Sequence, residues 1–319
     1  MNSTREQRIE QALFLGGSLT LDNPAYYQAV RAIAGSLVQT DLAPEDLTTK
    51  ALDMKDRFAS AAVFALESGV AAGLEEFAFL VRAHEVEVAF EKQDGDAIHP
   101  GDTLLRAEGD ESKLLSLERV GLNLLQRMSG IATASRCLQE RARRSSSATR
   151  IVGTRKTPWG LLDKRALHLG NGGTHRLGLG DAIVIKNNHL ALIAGREEDG
   201  VPIAIEKAWR LRAESAFIEI EVRGEAAARA AAQTFRRLQE EAPEQYPCLL
   251  MLDNMVPDEI GVILDMLRRE DLWDHTLIEA SGGISEANVD AYAACGVDAI
   301  SVGALTHSAR ALDICQRIS

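Results

Sequence analysis

The sequence predicts an α/β protein in which a barrel of about six parallel strands is joined to a smaller α+β domain. From about residue 150 onward, short apolar runs alternate with amphipathic helical patterns, and this alternation is typical of strand–helix units in a parallel sheet. The six runs read RIVGT, DAIVIK, FIEIEV, CLLML, TLIEA and VDAISV. Such units fit either an open doubly wound sheet or most of a barrel, so periodicity alone does not decide between the two.

The residues that follow these runs favour the barrel. Nearly every run ends on polar residues or glycines, namely Arg155 and Lys156, Lys186, Glu221, Asp253, Ser281 with Gly282 and Gly283, and Gly303. In α/β barrels the carboxyl ends of the strands surround one mouth, so residues distant in sequence meet at a single ligand. Charged residues can also simply mark where strands reach solvent. Six strand ends in register are better explained by an active site at the mouth.

The first half of the chain has a different pattern. The segments AAVFALESG, EVEVAFE and DTLLRAEGD predict a small antiparallel sheet, and AYYQAVRAIAGSLV before them predicts a helix. A long helical pattern then leads towards the barrel. We expect an N-terminal domain over residues 1–130 and a barrel domain over residues 131–319, with a C-terminal helix that packs back on the N-terminal domain.

The composition limits the possible partners. The 319-residue chain has a formal net charge of −12, which opposes general attraction to nucleic acid or to an anionic membrane. No apolar run approaches the roughly 18 residues of a membrane span. The four cysteines are far apart and lack the spacing of a zinc site or a disulfide framework. We therefore expect a cytoplasmic protein with no nucleic-acid or membrane partner.

One segment of this acidic chain is strongly basic. Residues 153–179 contain Arg155, Lys156, Lys164, Arg165, Arg176 and two histidines. Because the whole chain is negative, we interpret the cluster as a local site for a small anion. Arg155, Lys156, His175, Arg176 and Lys186 could together bind a polycarboxylate or a pyrophosphate. Lys164 and Arg165 lie in a helical segment and are expected to face solvent.

Carboxylates and glycines complete the set of candidate site residues. Glu221 and Asp253 follow neighbouring strands, and they could hold a divalent metal or ribose hydroxyls, or stabilise a cation developing at a sugar carbon. Glu219 shares the parity of Glu221, and a structural ion pair inside the barrel is the alternative. The glycines of EASGGIS and SVGALTHS predict a phosphate site rather than two plain turns. Together these features indicate phosphoribosyl transfer.

Several segments closely resemble the quinolinate phosphoribosyltransferases, which are type II phosphoribosyltransferases. They are ERVGLNLLQRMSGIAT, TRKTPWG, THRLGLGDAIVIKNNH, IEIEV, MLDNM, EASGGI and GVDAISVGALTHSARALD. The resemblance implies an incomplete α/β barrel beside an open-faced N-terminal sandwich. It also implies that quinolinate and phosphoribosyl pyrophosphate react, with Mg²⁺, to nicotinate mononucleotide, pyrophosphate and carbon dioxide. A homodimer or higher oligomer with shared active sites is implied as well.

The resemblance also implies roles for individual residues. Arg155, His175 and Arg176 would hold the quinolinate carboxylates, and Arg119 would reach in from a neighbouring subunit. Lys156 and Lys186 would serve the reacting centre and the pyrophosphate, and Glu221 and Asp253 would bind ribose and metal. Ser281, Gly282, Gly283, Gly303 and His307 would bind the 5′-phosphate.

This chain departs from the family pattern near Pro158–Leu162, near Gly170–Thr174 and at Asn187, where the family has aspartate. The alternatives are a related type II enzyme for nicotinate or another heterocyclic acid, and a non-catalytic barrel that binds a nucleotide as a sensor.

Overall fold

The computed structural model describes residues 4–42, 45–54, 57–194, 197–242 and 245–318. It divides into two compact units. The barrel unit contains the chain up to Leu15 with Leu138–Arg155 and Gly173–Ala304, and the sandwich unit contains Gly16–Cys137, Lys156–Gly172 and the chain from Leu305 onward. These units are discontinuous in sequence, and the division into 1–130 and 131–319 stays a prediction. Within the described ranges, every helix is too short or too polar to traverse a bilayer.

The helices and strands follow one another along the chain in a mixed order. The helices are α1 (Arg5–Leu13), α2 (Pro24–Leu42), α3 (Leu47–Ala51), α4 (Leu74–Arg82), α5 (Glu111–Ser145), α6 (Leu161–Leu169), α7 (Asn187–Ala191), α8 (Glu197–Trp209), α9 (Glu225–Glu240), α10 (Pro257–Arg269), α11 (Val289–Ala294) and α12 (Ala304–His307). The strands are β1 (Phe58–Ala65), β2 (Gly69–Val70), β3 (Glu87–Phe90), β4 (Ala97–Ile98), β5 (Thr103–Asp110), β6 (Arg150–Val152), β7 (Ile183–Ile185), β8 (Ile218–Val222), β9 (Cys248–Asp253), β10 (Leu277–Ser281), β11 (Ala299–Ser301) and β12 (Ile314–Ile318).

The barrel unit is built on a parallel sheet with the strand order β6-β11-β10-β9-β8-β7. Each of the six predicted apolar runs forms one of these strands, so the predicted α/β class is confirmed. Strands β6 and β7 are consecutive in sequence, yet they lie at the two edges of the sheet. The first strand, β6, pairs with the last, β11, as in a barrel, and the gap between β6 and β7 leaves the barrel incomplete, as the resemblance implies.

The interior of the barrel has an apolar floor. Phe217 directly precedes β8, and Leu249 and Leu277 lie at the amino-terminal ends of β9 and β10. They form one buried cluster with Ile9 and Leu13 of α1. Since alternate strand residues point to opposite faces, residues of the same parity further along each strand also face inward. The inward side chains therefore change from apolar to ionic towards the carboxyl ends of the strands.

Helix α1 is fixed at the floor by its own first turn. Thr4 and Gln7 form a capping box, in which Gln7 N–H donates to Thr4 Oγ1 (3.2 Å) and Thr4 N–H donates to Gln7 Oε1 (2.8 Å). Arg5 makes a bidentate pair with Asp298, with both distances at 2.5 Å. Ile9 and Leu13 then face the core because they lie one turn apart on the same side of the helix.

The sandwich unit contains an antiparallel sheet with the order β12-β1-β5-β3. The three strands predicted from the first half of the chain are present, so that prediction is confirmed. The prediction of a C-terminal helix is wrong, because residues 314–318 form β12. This strand pairs with β1 in the register Ala61↔Ile318 to Ala65↔Ile314. Pairing satisfies the backbone groups along one edge of β1, and this long-range partner is invisible in a local helical pattern.

Lys164 and Arg165 were predicted to face solvent, and this prediction is wrong. Their exposed fractions are 1% and 7%. Arg165 lies within ion-pair distance of three carboxylates of the sandwich unit, which are Glu75 at 2.8 Å, Glu76 at 3.2 Å and Asp94 at 3.4 Å. These partners compensate the cost of burying the guanidinium, which would be prohibitive for an unpaired charge.

The same network gives the stability a pH dependence. Burial, reinforced by the charge of Asp94, raises the pKa of Glu76 from 4.5 to about 7. Between pH 4.5 and about 7 the folded state therefore holds a proton on Glu76 that the unfolded state releases. The contribution of protonated Glu76 to the free energy of unfolding is fully present below pH 4.5 and is lost as the pH rises through 7.

We expect Glu76→Gln to flatten the change in unfolding free energy across this window, since Gln keeps a neutral partner for the hydroxyl of Tyr26, which donates to Glu76 at 2.6 Å. Urea titrations at pH 4.5 and 7.5 measure the unfolding free energy at each pH. Glu87→Gln, at an exposed position, is the control. An unchanged pH slope in Glu76→Gln would contradict the assignment.

Candidate active site

Two carboxylates meet at the carboxyl ends of neighbouring strands in the barrel unit. Glu221 of β8 pairs in register with Met251, two residues before Asp253 at the end of β9. One guanidinium nitrogen of Arg223 lies 3.6 Å from Glu221 Oε1 and 3.6 Å from Asp253 Oδ2. The predicted convergence of these two residues is therefore present in the geometry of the mouth.

Amide side chains flank both carboxylates. Asn187, at the first position of α7, donates its Nδ2–H to Glu221 Oε1 at 2.6 Å. Asn254 donates its Nδ2–H to Asp253 Oδ2 at 2.7 Å. These bonds hold the carboxylates in place without neutralising them, because an amide brings a donor but no charge.

The residues present fit a divalent cation of the Mg²⁺ type. Glu221 and Asp253 offer carboxylate oxygens, which hard cations prefer. Asn187 Oδ1 is buried and has no hydrogen-bond partner within the described ranges, so the chemistry of this oxygen also suits a hard cation. An amide in place of the aspartate that the resemblance implies thus keeps one oxygen available while its nitrogen binds Glu221.

A glycine turn follows β10. Gly282 has φ +94° and Gly283 has φ +61°, values in the left-handed region where glycine has no steric penalty. A Cβ at position 282 would overlap the side chain of Asn254. The backbone N–H of Asn254 donates to Ser281 O at 2.9 Å. The loops after β9 and β10 therefore interlock, and position 282 must be glycine.

Two guanidinium groups lie close together in the barrel unit. The pKa of Arg176 is lowered, first by burial and then by the positive charge of Arg155. Arg176 is 7% exposed and donates to Ala182 O at 3.0 Å, whereas Arg155 is exposed. A bound anion would relieve the repulsion between the two cations, so this arrangement favours a ligand with more than one negative charge.

His175 lies one level below the mouth, inside the barrel. Its Nδ1 accepts from Arg176 N–H at 2.8 Å, and its Nε2 lies 3.0 Å from Glu219 Oε2 and 3.4 Å from Glu279 Oε2. Burial alone would lower the pKa of His175, but the charges of Glu219 and Glu279 outweigh burial and raise it to about 9. In this geometry Nδ1 accepts a hydrogen bond, so the ring proton is on Nε2, which faces Glu219 and Glu279. Glu219 thus makes the internal contact that was the alternative to a site role.

His175 also has a left-handed backbone, with φ +53°, and its N–H donates to Leu13 O at 2.9 Å. The ring and the backbone together fix the peptide that precedes Arg176. Direct contact between His175 and a substrate carboxylate stays a prediction, because both ring nitrogens already have partners within the barrel unit.

The other predicted residues lie in several elements. Lys186 is exposed directly before α7, and Gly303 directly precedes α12. Lys156, Arg119 and His307 are exposed and belong to the sandwich unit. The roles assigned to all of these residues stay predictions.

The segment that carries Lys156 is held within the sandwich unit by a buried ion pair. Arg127 makes a bidentate pair with Asp163, with both distances at 2.9 Å, and also donates to Thr306 O at 3.0 Å. Thr306 Oγ1–H in turn donates to Lys156 O at 2.9 Å, and Trp159 N–H donates to Asp163 Oδ2 at 3.1 Å. The contacts connect α5, α6, the loop before α6 and α12.

We expect Arg127→Lys to lower the unfolding free energy by about 1–3 kcal/mol, because an ammonium cannot reproduce the bidentate contact and the bond to Thr306. Chemical denaturation of the variant and of the unaltered protein measures this difference in unfolding free energy. The exposed Arg31→Lys on α2 is the matched control and should be neutral. Equal stability of both variants would show that the bidentate geometry and the bond to Thr306 contribute nothing net.

Sequence reasoning missed Arg223, Asn254, Glu279, Arg127 and Asp163. A signal existed for Arg223, since residues 219, 221 and 223 share one parity at the end of β8. Glu279 had the same kind of signal, because it lies two residues before Ser281 on β10. The pairing of Arg127 with Asp163 had no local signal.

Comparison with known proteins identifies the family. Residues 46–129 match the N-terminal domain and residues 131–316 match the C-terminal domain of Quinolinate phosphoribosyl transferase. A Methanothermobacter thermautotrophicus protein named probable nicotinate-nucleotide pyrophosphorylase [carboxylating] is 37% identical over 288 residues, which cover 88% of this chain and 96% of that protein. The Mycobacterium leprae nicotinate-nucleotide pyrophosphorylase [carboxylating] is 36% identical over 277 residues, covering 84% and 89%.

A solved structure agrees with these relatives. The crystal structure of NadC from Streptococcus pyogenes superposes with a TM-score of 0.78 at 30% identity, and the match covers 92% of this chain and 97% of that one. The two family models, the relatives and the solved structure thus agree with one another. The chain belongs to the quinolinate phosphoribosyl transferase family.

Proposed function

We propose that this protein transfers a phosphoribosyl group from phosphoribosyl pyrophosphate to quinolinate, and so forms nicotinate mononucleotide for NAD biosynthesis. The observation that carries the proposal is the arrangement at the barrel mouth. Glu221 and Asp253 lie at the ends of β8 and β9. Arg155 follows β6 and Arg176 precedes β7 in the same barrel unit, in a chain of the quinolinate phosphoribosyl transferase family.

In the first step the bond between C1′ of the ribose and the pyrophosphate oxygen breaks. Pyrophosphate leaves with the electron pair, and the pyridine nitrogen of quinolinate forms the new bond to C1′. Positive charge develops on the ribose in the transition state, and the carboxylates of Glu221 and Asp253 are fixed by Asn187 and Asn254 where they can stabilise it. Their fixed positions avoid reorganisation during the reaction.

In the second step the pyridinium product loses its 2-carboxylate as carbon dioxide. The ring accepts the electron pair of the breaking bond, and a proton then adds at C2. The contribution of the protein is to orient the acid and to exclude water. Arg155 and Arg176 are the groups that orient it, and the contacts of His175 keep the backbone of Arg176 in place.

We propose Mg²⁺ as the cofactor, with Glu221, Asp253 and Asn187 as the residues that would hold it. Held by these residues, Mg²⁺ would supply positive charge to offset that of the pyrophosphate leaving group. The 5′-phosphate is assigned to the turn formed by Ser281, Gly282 and Gly283, with Gly303 and His307. The left-handed conformation of the glycines supports this assignment, since it lets a ligand approach the backbone closely.

The acid substrate can be tested directly. Purified protein is incubated with phosphoribosyl pyrophosphate, Mg²⁺ and either quinolinate or nicotinate, while released carbon dioxide and nucleotide are followed. The adjacent cations Arg155 and Arg176 favour the dicarboxylate, so we expect product from quinolinate. Product from nicotinate alone would favour the alternative enzyme, and turnover of neither acid would leave the sensor hypothesis.

We further propose a cytoplasmic homodimer or higher oligomer in which Arg119 completes the site of a neighbouring subunit. The four cysteines are all unpaired, which fits a reducing compartment. Arg119 is exposed on α5 in the sandwich unit. The alternative is a surface ion pair of Arg119, for instance with Glu118, worth at most ~1 kcal/mol.

A mixing experiment separates the two roles of Arg119. Arg119→Ala and Lys186→Ala should each be nearly inactive alone if every site takes one of these residues from each subunit. Co-refolding equal amounts makes about half of the dimers mixed, and each mixed dimer has one doubly altered and one intact site, so activity should recover to about a quarter of the unaltered protein. With subunit exchange verified separately, absence of recovery would mean that both residues act within one chain.

A further inference from the structure

Arg223 is placed beside the carboxylate pair by the register of two strands. Val222, the last residue of β8, pairs with Leu252 of β9. The next residue in each chain segment is Arg223 and Asp253, respectively, so the register sets these two side by side. Arg223 also has the parity of Glu221 and therefore extends from the same face of the sheet.

The guanidinium of Arg223 lies 3.6 Å from one oxygen of each carboxylate. The side chains of Glu221 and Asp253 are only 10% and 15% exposed, whereas that of Arg223 is 58% exposed. The carboxylates are thus fixed in the wall of the mouth, and the cation beside them is on a solvated side chain. Ion pairs of this length and exposure are weak and easily exchanged.

A divalent cation held by Glu221 and Asp253 would meet this guanidinium at close range. The two like charges would compete for Glu221 Oε1 and Asp253 Oδ2, the oxygens that face Arg223. Asn187 and Asn254 donate to the same two oxygens, but they are neutral and add no charge repulsion towards a metal ion. Binding of a metal ion therefore requires the side chain of Arg223 to move away.

We infer that Arg223 is a resident counter-ion of the Glu221–Asp253 pair and that a divalent cation must displace it to bind. The free protein then has low affinity for the bare metal ion. The complex of the metal ion with a diphosphate ester binds better, because its oxygens give the displaced guanidinium new anionic partners. This inference deepens the proposed function and depends on its assignment of Glu221 and Asp253.

The test is binding of Mn²⁺ alone, measured by electron paramagnetic resonance on the full chain without phosphoribosyl pyrophosphate. Arg223→Gln should bind Mn²⁺ about 3- to 10-fold more tightly than the unaltered protein, since it loses the competing charge. Arg223→Lys keeps a cation and should stay close to the unaltered protein. Arg268→Gln, which removes an exposed arginine from α10 of the same unit, controls for the change in net charge.

The KM for the Mg²⁺ complex of phosphoribosyl pyrophosphate should rise in Arg223→Gln, in the opposite direction to the change in Mn²⁺ binding. Glu221→Gln should weaken the measured Mn²⁺ binding and so locate it at the carboxylate pair. Equal or weaker Mn²⁺ binding by Arg223→Gln, or no measurable binding by either protein, would overturn the inference. Turnover of quinolinate by the unaltered protein is assayed separately, so failure of the proposed reaction is distinguished from failure of this role.

Discussion

Glu221→Gln and Asp253→Asn should each lower turnover by at least ~100-fold, the effect expected when one electrostatic stabiliser of a transition state is removed. Both carboxylates lie at the barrel mouth, and each accepts a hydrogen bond from a neighbouring amide. The substitutions keep size and shape, so the fold should be retained. The measurement is kcat with saturating quinolinate and phosphoribosyl pyrophosphate, together with a thermal unfolding curve for each variant.

Asp265→Asn is the matched control for these carboxylates. Asp265 is an exposed residue of α10 in the same unit, paired with Arg268 at 3.4 Å, and its loss changes the charge of the unit by the same amount. It should leave kcat unchanged. Near-normal kcat in both Glu221→Gln and Asp253→Asn would refute their place in the reaction, whatever the control does.

Arg176→Ala should raise the KM for quinolinate by about 30- to 100-fold and leave the KM for phosphoribosyl pyrophosphate within about 3-fold. Charge-assisted hydrogen bonds to a carboxylate are worth about 1.5–3 kcal/mol each, and Arg176 is 7% exposed, so solvent replaces its contact poorly. Initial rates with each substrate varied in turn give the two constants.

The exposed Arg210→Ala, also in the barrel unit, removes the same charge as Arg176→Ala without touching the mouth, and it should change neither KM. Equal weakening of both substrates by Arg176→Ala would point instead to a phosphate-binding role. Unchanged quinolinate binding would remove Arg176 from the acid site and leave Arg155 as the cation that orients the ring.

The sequence by itself determined the class of the fold and the mouth of the barrel. Each of the strands β6 to β11 is a short apolar run, because a strand covered on both faces must be apolar on both. The exceptions to that rule were the informative residues. Glu219 and Glu221 interrupt β8 at alternate positions, and this parity alone puts both side chains inside the barrel.

Only the tertiary structure decided the partners of the charged residues. Arg165 is buried because Glu75, Glu76 and Asp94, which are far away in sequence, surround it. His175 lies beneath the mouth because Glu219 and Glu279 meet its ring. The free energy of a buried charge depends on which opposite charges surround it. The order of residues along the chain does not show those neighbours.

The same reason explains the C-terminal strand and Arg223. Residues 314–318 are extended because the edge of β1 is available to pair with them, and their local sequence does not show that edge. The parity of Arg223 was readable in the sequence, but its place beside Asp253 depends on the register between β8 and β9. Register is set by packing across the whole sheet, so the juxtaposition of a cation with two carboxylates exists only once the sheet has formed.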